Sequence, residues 1–94
     1  MSNFVKNDTD KPRYELIPPH ALELVVKILT MGAKKYDDDN WKKCPDIDRY
    51  FGACQRHLWA WKAGDKIDSE SDINHLAHAI CSLLFMLELD KEKK

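Results

Sequence analysis

"SESDINHLAHAICSLLFMLELD", Ser69 to Asp90, is the stretch on which the fold turns. Ser69 and Asp72 stand at the S-x-x-D spacing of a capping pair and predict a helix start. Behind them Ile73, Leu76, Ala77, Ile80, Leu84 and Leu87 recur at helical intervals, so the helix runs to about Asp90 with that stripe facing a core. Beside the stripe lies a polar seam, Ser71, His75, His78 and Ser82, at i, i+4, i+7 and i+11. The basic tail "KEKK" suits the negative end of such a helix.

Two further helices follow from the same rule. "PHALELVVKILTMGAKKY" begins with Pro19, which is tolerated at a first helical position because its missing N–H has no partner to lose there. Leu22, Val25, Val26, Leu29 and Ala33 form one face of a helix from about Pro19 to Tyr36, and Leu24, Ile28 and Met31 a second. Three short helices do not cover Leu24, Ile28, Met31, Phe85 and Leu89 internally, which predicts a homo-oligomer, whether dimer, tetramer or larger. The aspartates, Asn40 and Pro45 of "YDDDNWKKCPD" break the period and predict a loop carrying Trp41. A helix from about Asp48 to Ala63 then sets Ile47, Tyr50, Phe51, Cys54, Leu58 and Trp61 on one stripe. Arg49, Gly52, Ala53, Arg56 and Ala60 make a small-residue face bearing two guanidinium groups. No stretch alternates with period two for long enough to be a strand. The expected fold is all-α, an antiparallel bundle of three main helices: a mobile arm over residues 1–13, then one domain over 14–94.

The composition excludes several classes of function. A formal net charge of -1 gives no basic field for long DNA or RNA. Three widely spaced cysteines, Cys44, Cys54 and Cys81, without a C-x-x-C pair, read as reduced thiols, the last two in the core. The N-terminal residues lack a leader's apolar segment and no run is long enough to span a bilayer, so a cytoplasmic location with no membrane partner is expected. The three glycines are isolated, which excludes phosphate loops of the P-loop and Rossmann kinds.

Two groups of side chains carry possible chemistry. His75 and His78, with His57 and an acid such as Glu70, have the donor types of a transition-metal site. The simpler reading is that Ser71 and the helix start satisfy buried imidazoles. The second group is cationic and aromatic: Arg49 and Arg56 with Lys11, Arg13, Lys34 and Lys35 to surround phosphates, and Tyr14, Tyr36, Trp41 and Trp61 to stack on a base. Trp41, an aromatic in a charged loop beside Asn40, reads as a ligand contact.

The segments "KPRYELIPPHALELV", "GAKKYDDDNW", "RYFGACQRHLWAW" and "ESDINHLAHAICSLLFMLEL" together resemble a phage family, the N-terminal part of dATP/dGTP diphosphohydrolases, from Lys11 to Leu89. The positions that match are Lys11, Pro12, Arg13, Gly32, Ala33, Lys35, Tyr36, Asn40, Trp41, Arg56, His57, Glu70, Ser71, His75 and His78. The usual "ESGLxHLAHA" is "ESDINHLAHA" here, with Asp72 where glycine is common. The resemblance implies a MazG-like all-α oligomer in a phage-infected host cytoplasm, a purine-nucleotide ligand and magnesium. MazG-type hydrolysis uses two pairs of helical carboxylates, E-x-x-E and E-x-x-D, which this chain lacks. The leading expectation is therefore a nucleotide sponge without cofactor or catalytic residues, which sequesters a purine nucleotide or cyclic nucleotide immune signal as an anti-defence protein. Its ligand-binding residues would be Lys11, Arg13, Tyr14, Lys35, Tyr36, Asn40, Trp41, Arg56, His57, His75 and His78. The alternative is a dATP/dGTP diphosphohydrolase releasing pyrophosphate with Mg2+ or Mn2+. Glu70, Asp72, His57 and His75 would then be catalytic, with Glu70 and Asp72 on the metal. A third reading is an assembly protein whose polar seams are interfaces.

Overall fold

The computed structural model describes residues 3–91, and its helices are α1 (Pro19–Lys35), α2 (Asp48–Lys62) and α3 (His75–Asp90). Single 3₁₀ turns at Tyr14–Leu16 and Asn40–Lys43 flank α1 on either side. The chain is all-α apart from a two-residue hairpin between α2 and α3, β1 (Ile67–Asp68) antiparallel to β2 (Ile73–Asn74). Pro19 occupies the start of α1, and Lys34 and Lys35 sit in its last turn, where they oppose the helix dipole.

α3 is the central element, packed on α2 along one side and α1 along the other. Val25 of α1 meets Ile73, Ala77 and Cys81, with Leu24, Ile28, Leu29 and Phe85 packed around them. The Cys81 thiol donates to the Val25 carbonyl at 3.6 Å, tying α3 to α1. Burial pushes this thiol up to about 11, so it stays protonated. Cys54 of α2 is buried as well.

Three expectations are corrected. The third helix does not begin at the Ser69–Asp72 pair. Those residues form the tip of the hairpin, and α3 starts at His75, capped by the Asn74 side chain accepting from Leu76 N–H at 2.8 Å. Asp72 has φ +62, the left-handed region that a residue without Cβ enters most readily, which accounts for the glycine usual there.

The second correction concerns α3's stripe. Ile80, Leu84 and Leu87 are exposed, together with Leu83, and Leu87 retains 72% of its surface. Inward instead face His75, Ala77, Ala79, Cys81 and Ser82. Small side chains let two neighbouring helices approach α3 closely, and the bulky aliphatics are left outside. Phe51 and Leu58 are likewise exposed on α2. Of the residues expected to stay uncovered, Leu24, Ile28 and Phe85 are instead engaged with the core, while Met31 is exposed, joined on α1 by Leu22 and Val26.

Candidate functional site

The hairpin assembles the polar part of the site. Gly64 at φ +103 turns the chain out of α2, a conformation that side chains with Cβ resist. Asp68 pairs with Ile73 in the hairpin register, which lays its carboxylate beside the first turns of α3. The hairpin tip closes on it: Asp72 N–H donates to the Asp68 carbonyl at 2.8 Å and Ser71 N–H to Asp68 Oδ2 at 2.9 Å.

Three imidazoles converge there. His57 Nδ1 of α2 lies 2.8 Å from His75 Nδ1 of α3, and the His57 ring stacks on His78 at 4.6 Å and 12°. Ser71 Oγ lies 2.7 Å from His78 Nε2, which is 3.7 Å from Asp68 Oδ2. Ser71 is not on the helix as the i, i+4 spacing implied, yet the hairpin delivers it to the same imidazole. His75 is only 7% exposed, and its Nε2 has no hydrogen-bond partner among the described residues. The Asp65 carboxylate stands 3.5 Å from that nitrogen, beyond hydrogen-bonding distance.

The electrostatics of the group follow from burial. Desolvation holds His57 below the ordinary imidazole range, and the neighbouring His78 and His75 act in the same direction while Asp68 opposes them. His78 is lowered too, chiefly by desolvation, with Asp68 again in opposition. For Asp68 burial is the largest influence and pushes upward, but the hydrogen bonds from Ser71 and the nearby imidazoles bring the carboxyl below its usual value. At neutral pH the arrangement is two neutral imidazoles, His57 and His78, beside an anionic carboxylate.

A divided cleft lies among the end of α1, the loop after it and α2, with Phe85 of α3 at one wall. One cavity of about 470 Å³ is lined by Gly32, Ala33, Tyr36, Asn40, Trp41 and Phe85, among others. Trp41 stacks on Phe85 at 4.9 Å and 13°, and Tyr50 leans on the same ring at 5.1 Å. Trp41 therefore has a packing role that its charged loop did not suggest. A second cavity of about 490 Å³ shares Tyr36, Asn40 and Tyr50 with the first and adds Lys43, Arg49 and Arg56. A Cβ on Gly52 would stand 3.3 Å from Arg56 Nη1, so the small residue leaves room for the guanidinium. Arg56 lines this cleft, and its neighbour His57 joins the imidazole group, as successive residues of a helix diverge by about 100°.

The remaining residues singled out from the sequence lie apart from these features. Lys11, Arg13 and Tyr14 are exposed, and Arg13 pairs with Glu15 at 2.8 Å. Lys35 pairs with Glu70 at 3.5 Å, and the Glu70 side chain is 81% exposed. The two carboxylates that would hold Mg2+ or Mn2+ under the hydrolase alternative lie on the exposed hairpin tip, with Glu70 beside Lys35. Among the described residues, the three groups that do bring possible ligand atoms together, all within 4.8 Å, are His57, Asp68 and His75. Magnesium demands oxygen ligands, so this nitrogen-rich set does not fit it. Asp68 and Asp65 escaped the sequence reading because "AGDKID" looks like a bare turn. The signal available was only their closeness to a histidine-bearing helix start.

The fold and these side chains define an α-helical protein with a histidine–carboxylate cluster and a cleft that is aromatic in one part and basic in the other. The chain belongs to the family described as dATP/dGTP diphosphohydrolase, N-terminal, whose model matches residues 2–94. A protein of Salmonella phage PMBT28 named dATP/dGTP diphosphohydrolase is 33% identical over 85 residues, 90% of this chain. The match spans only 29% of that relative's length. No solved structure matches the chain. Among the described residues no helix is long and apolar enough to cross a membrane.

Proposed function

We infer that the chain binds a purine deoxynucleoside triphosphate, dATP or dGTP, and takes part in its hydrolysis to the monophosphate and pyrophosphate. The observation that carries this reading is the divided cleft, in which an aromatic, largely apolar cavity adjoins one bearing Lys43, Arg49 and Arg56. A purine suits the first part, where Tyr36 and Trp41 offer ring surface and Asn40 paired donors and acceptors. A polyphosphate suits the second, since guanidinium groups hold phosphate oxygens through charge-assisted hydrogen bonds. The name of the phage relative supports hydrolysis over sequestration, and no particular feature of the site favours a cyclic-nucleotide immune signal. Cleavage transfers the α-phosphorus from the bridging oxygen to a water oxygen. Arg49 and Arg56 would stabilise the charge that gathers on the departing pyrophosphate.

The reading includes self-association. The chain exposes 7906 Å², against about 5,600 Å² for a monomer of its mass, and its radius of gyration is 16.8 Å against about 12 Å for a compact domain of this length. Exposed Ile80, Leu83, Leu84 and Leu87 provide the apolar surface that a second copy would cover. Light scattering at micromolar concentration should give more than one chain per particle.

The test is incubation of the purified chain with dATP or dGTP and, in separate reactions, Mg2+, Mn2+ or Co2+. Pyrophosphate and deoxynucleoside monophosphate are the expected products, with Arg56→Ala strongly impaired. Unchanged nucleotide in every reaction, recovered intact from the bound fraction, would overturn hydrolysis by this chain.

A further inference from the structure

We propose that His57, Asp68 and His75 form a binding site for a divalent transition-metal ion, of the zinc or cobalt class rather than magnesium. Two facing ring nitrogens carry the argument. His57 Nδ1 and His75 Nδ1 are 2.8 Å apart, so in the metal-free chain one ring donates its N–H to the other, and a metal ion would take the place of that single proton. Two nitrogens bound tetrahedrally to one ion, each about 2.1 Å from it, are separated by about 3.4 Å, so the rings would part by only about 0.6 Å to admit it.

The far side of His75 bears on its tautomer. Its Nε2 is buried without a hydrogen-bond partner among the described residues, and the Asp65 carboxylate faces it at 3.5 Å. A proton on Nε2 is the one that an opposing carboxylate stabilises, and it leaves Nδ1 as a bare donor pointing at His57. This is the carboxylate–histidine–metal arrangement in which an outer acid fixes the tautomer of a ligand. Asp68 supplies the third ligand atom, within 4.8 Å of the other two. Ser71 N–H holds the Oδ2 atom of that carboxylate in place.

The donor chemistry selects the ion. Imidazole nitrogen favours zinc, cobalt and their neighbours, whereas magnesium favours an all-oxygen, largely hydrated shell. Three protein ligands leave further coordination positions for water or a phosphate oxygen, the pattern of a catalytic rather than a structural metal site. His78, already engaged with Ser71 Oγ and stacked on His57, braces that ligand. The catalytic meaning of the site rests on the hydrolase reading, but ion binding is measured without nucleotide, so the two ideas fail separately.

The experiment titrates Co2+ into the metal-stripped full-length chain and follows visible ligand-field absorption, with Zn2+ and Mg2+ as competitors. One Co2+ per chain, displaced by equimolar Zn2+ and unaffected by excess Mg2+, is expected. His57→Ala and Asp68→Asn should each weaken Co2+ binding on the order of 100-fold with unchanged far-UV circular dichroism, while His20→Ala on α1 leaves it intact. If His57→Ala fails to fold, Asp68→Asn decides. Absence of ligand-field bands in the wild-type chain, Mg2+ displacing Co2+ at equal concentration, or full-strength binding by Asp68→Asn would each overturn the site.

Discussion

The two ends of α3 solve different problems with the same helix. At its N-terminal end, His75 and His78 meet His57, Ser71 and Asp68 through contacts between polar atoms, and the buried Nε2 of His75 has no hydrogen-bond partner among the described residues. Toward its C-terminal end, Phe85 is wrapped by Trp41 and Tyr50 and packs on the Val25 core. Dispersion and burial act at the second end, where each ring removed costs contact area. At the first end desolvation of polar groups offsets much of what their hydrogen bonds return. Burial therefore acts mainly around Phe85, and the groups able to do ligand or proton chemistry gather around His75.

The sharpest way to break this contrast is Phe85→Ala. It removes the ring against which Trp41 and Tyr50 rest and should cost about 3 kcal/mol in urea denaturation. His57→Ala in the metal-free chain should cost clearly less, and an equal or larger loss there would abolish the distinction. Next in size, Arg56→Ala should weaken dGTP binding by about 2 kcal/mol, read by calorimetry, with little change in folding stability, because a charge-assisted bond to phosphate is lost.

Ser71→Ala tests how the hairpin tip serves the polar end. Its hydroxyl is paired with His78 Nε2 at 2.7 Å and accepts from Ile73 N–H at 3.2 Å, so about 1 to 2 kcal/mol of stability should disappear. Unchanged stability would mean that water replaces it without cost. Asp72→Gly goes the other way. With φ +62 at this position, relief of Cβ crowding should stabilise the chain by up to about 1 kcal/mol and leave Co2+ binding as it was. Weakened Co2+ binding would return Asp72 to the set of ligands.

The smallest effect concerns pH at the core. Cys81 is pushed up to about 11 in the folded chain from an ordinary 9.0. The unfolded chain thus ionises first as pH rises, so its contribution to stability is intact below about pH 9 and declines between there and about pH 11. Thiol labelling gives the spatial check: half-buried Cys44 should react in the native protein, and Cys54 and Cys81 only after denaturant is added. Rapid native labelling of Cys81 would show that the α1–α3 seam opens.

The chain's local chemistry is enough to place the three helices, all but the start of α3. Periodic apolar positions, Pro19 at a start and the proline and aspartates of the loop are local signals, and helix formation answers to local backbone chemistry. It also placed His57, His75, His78, Arg56, Asn40 and Trp41 among the residues worth following, because their types are costly to use without a partner. Which faces are covered depends on packing between elements far apart in the chain. Periodicity reports that Ile80, Leu84 and Leu87 share a side of α3, but not whether that side meets another helix of the same chain. Small Ala77, Ala79 and Ser82 took the inner position because close helix approach needs little volume there. Nor does spacing along the chain reveal that a hairpin returns Asp68 to His75, seven positions on, while Glu70 swings away to Lys35. That choice belongs to the hairpin register and the left-handed turn at Asp72, since a shift of one residue in a β-pair reverses the side to which each carboxylate points.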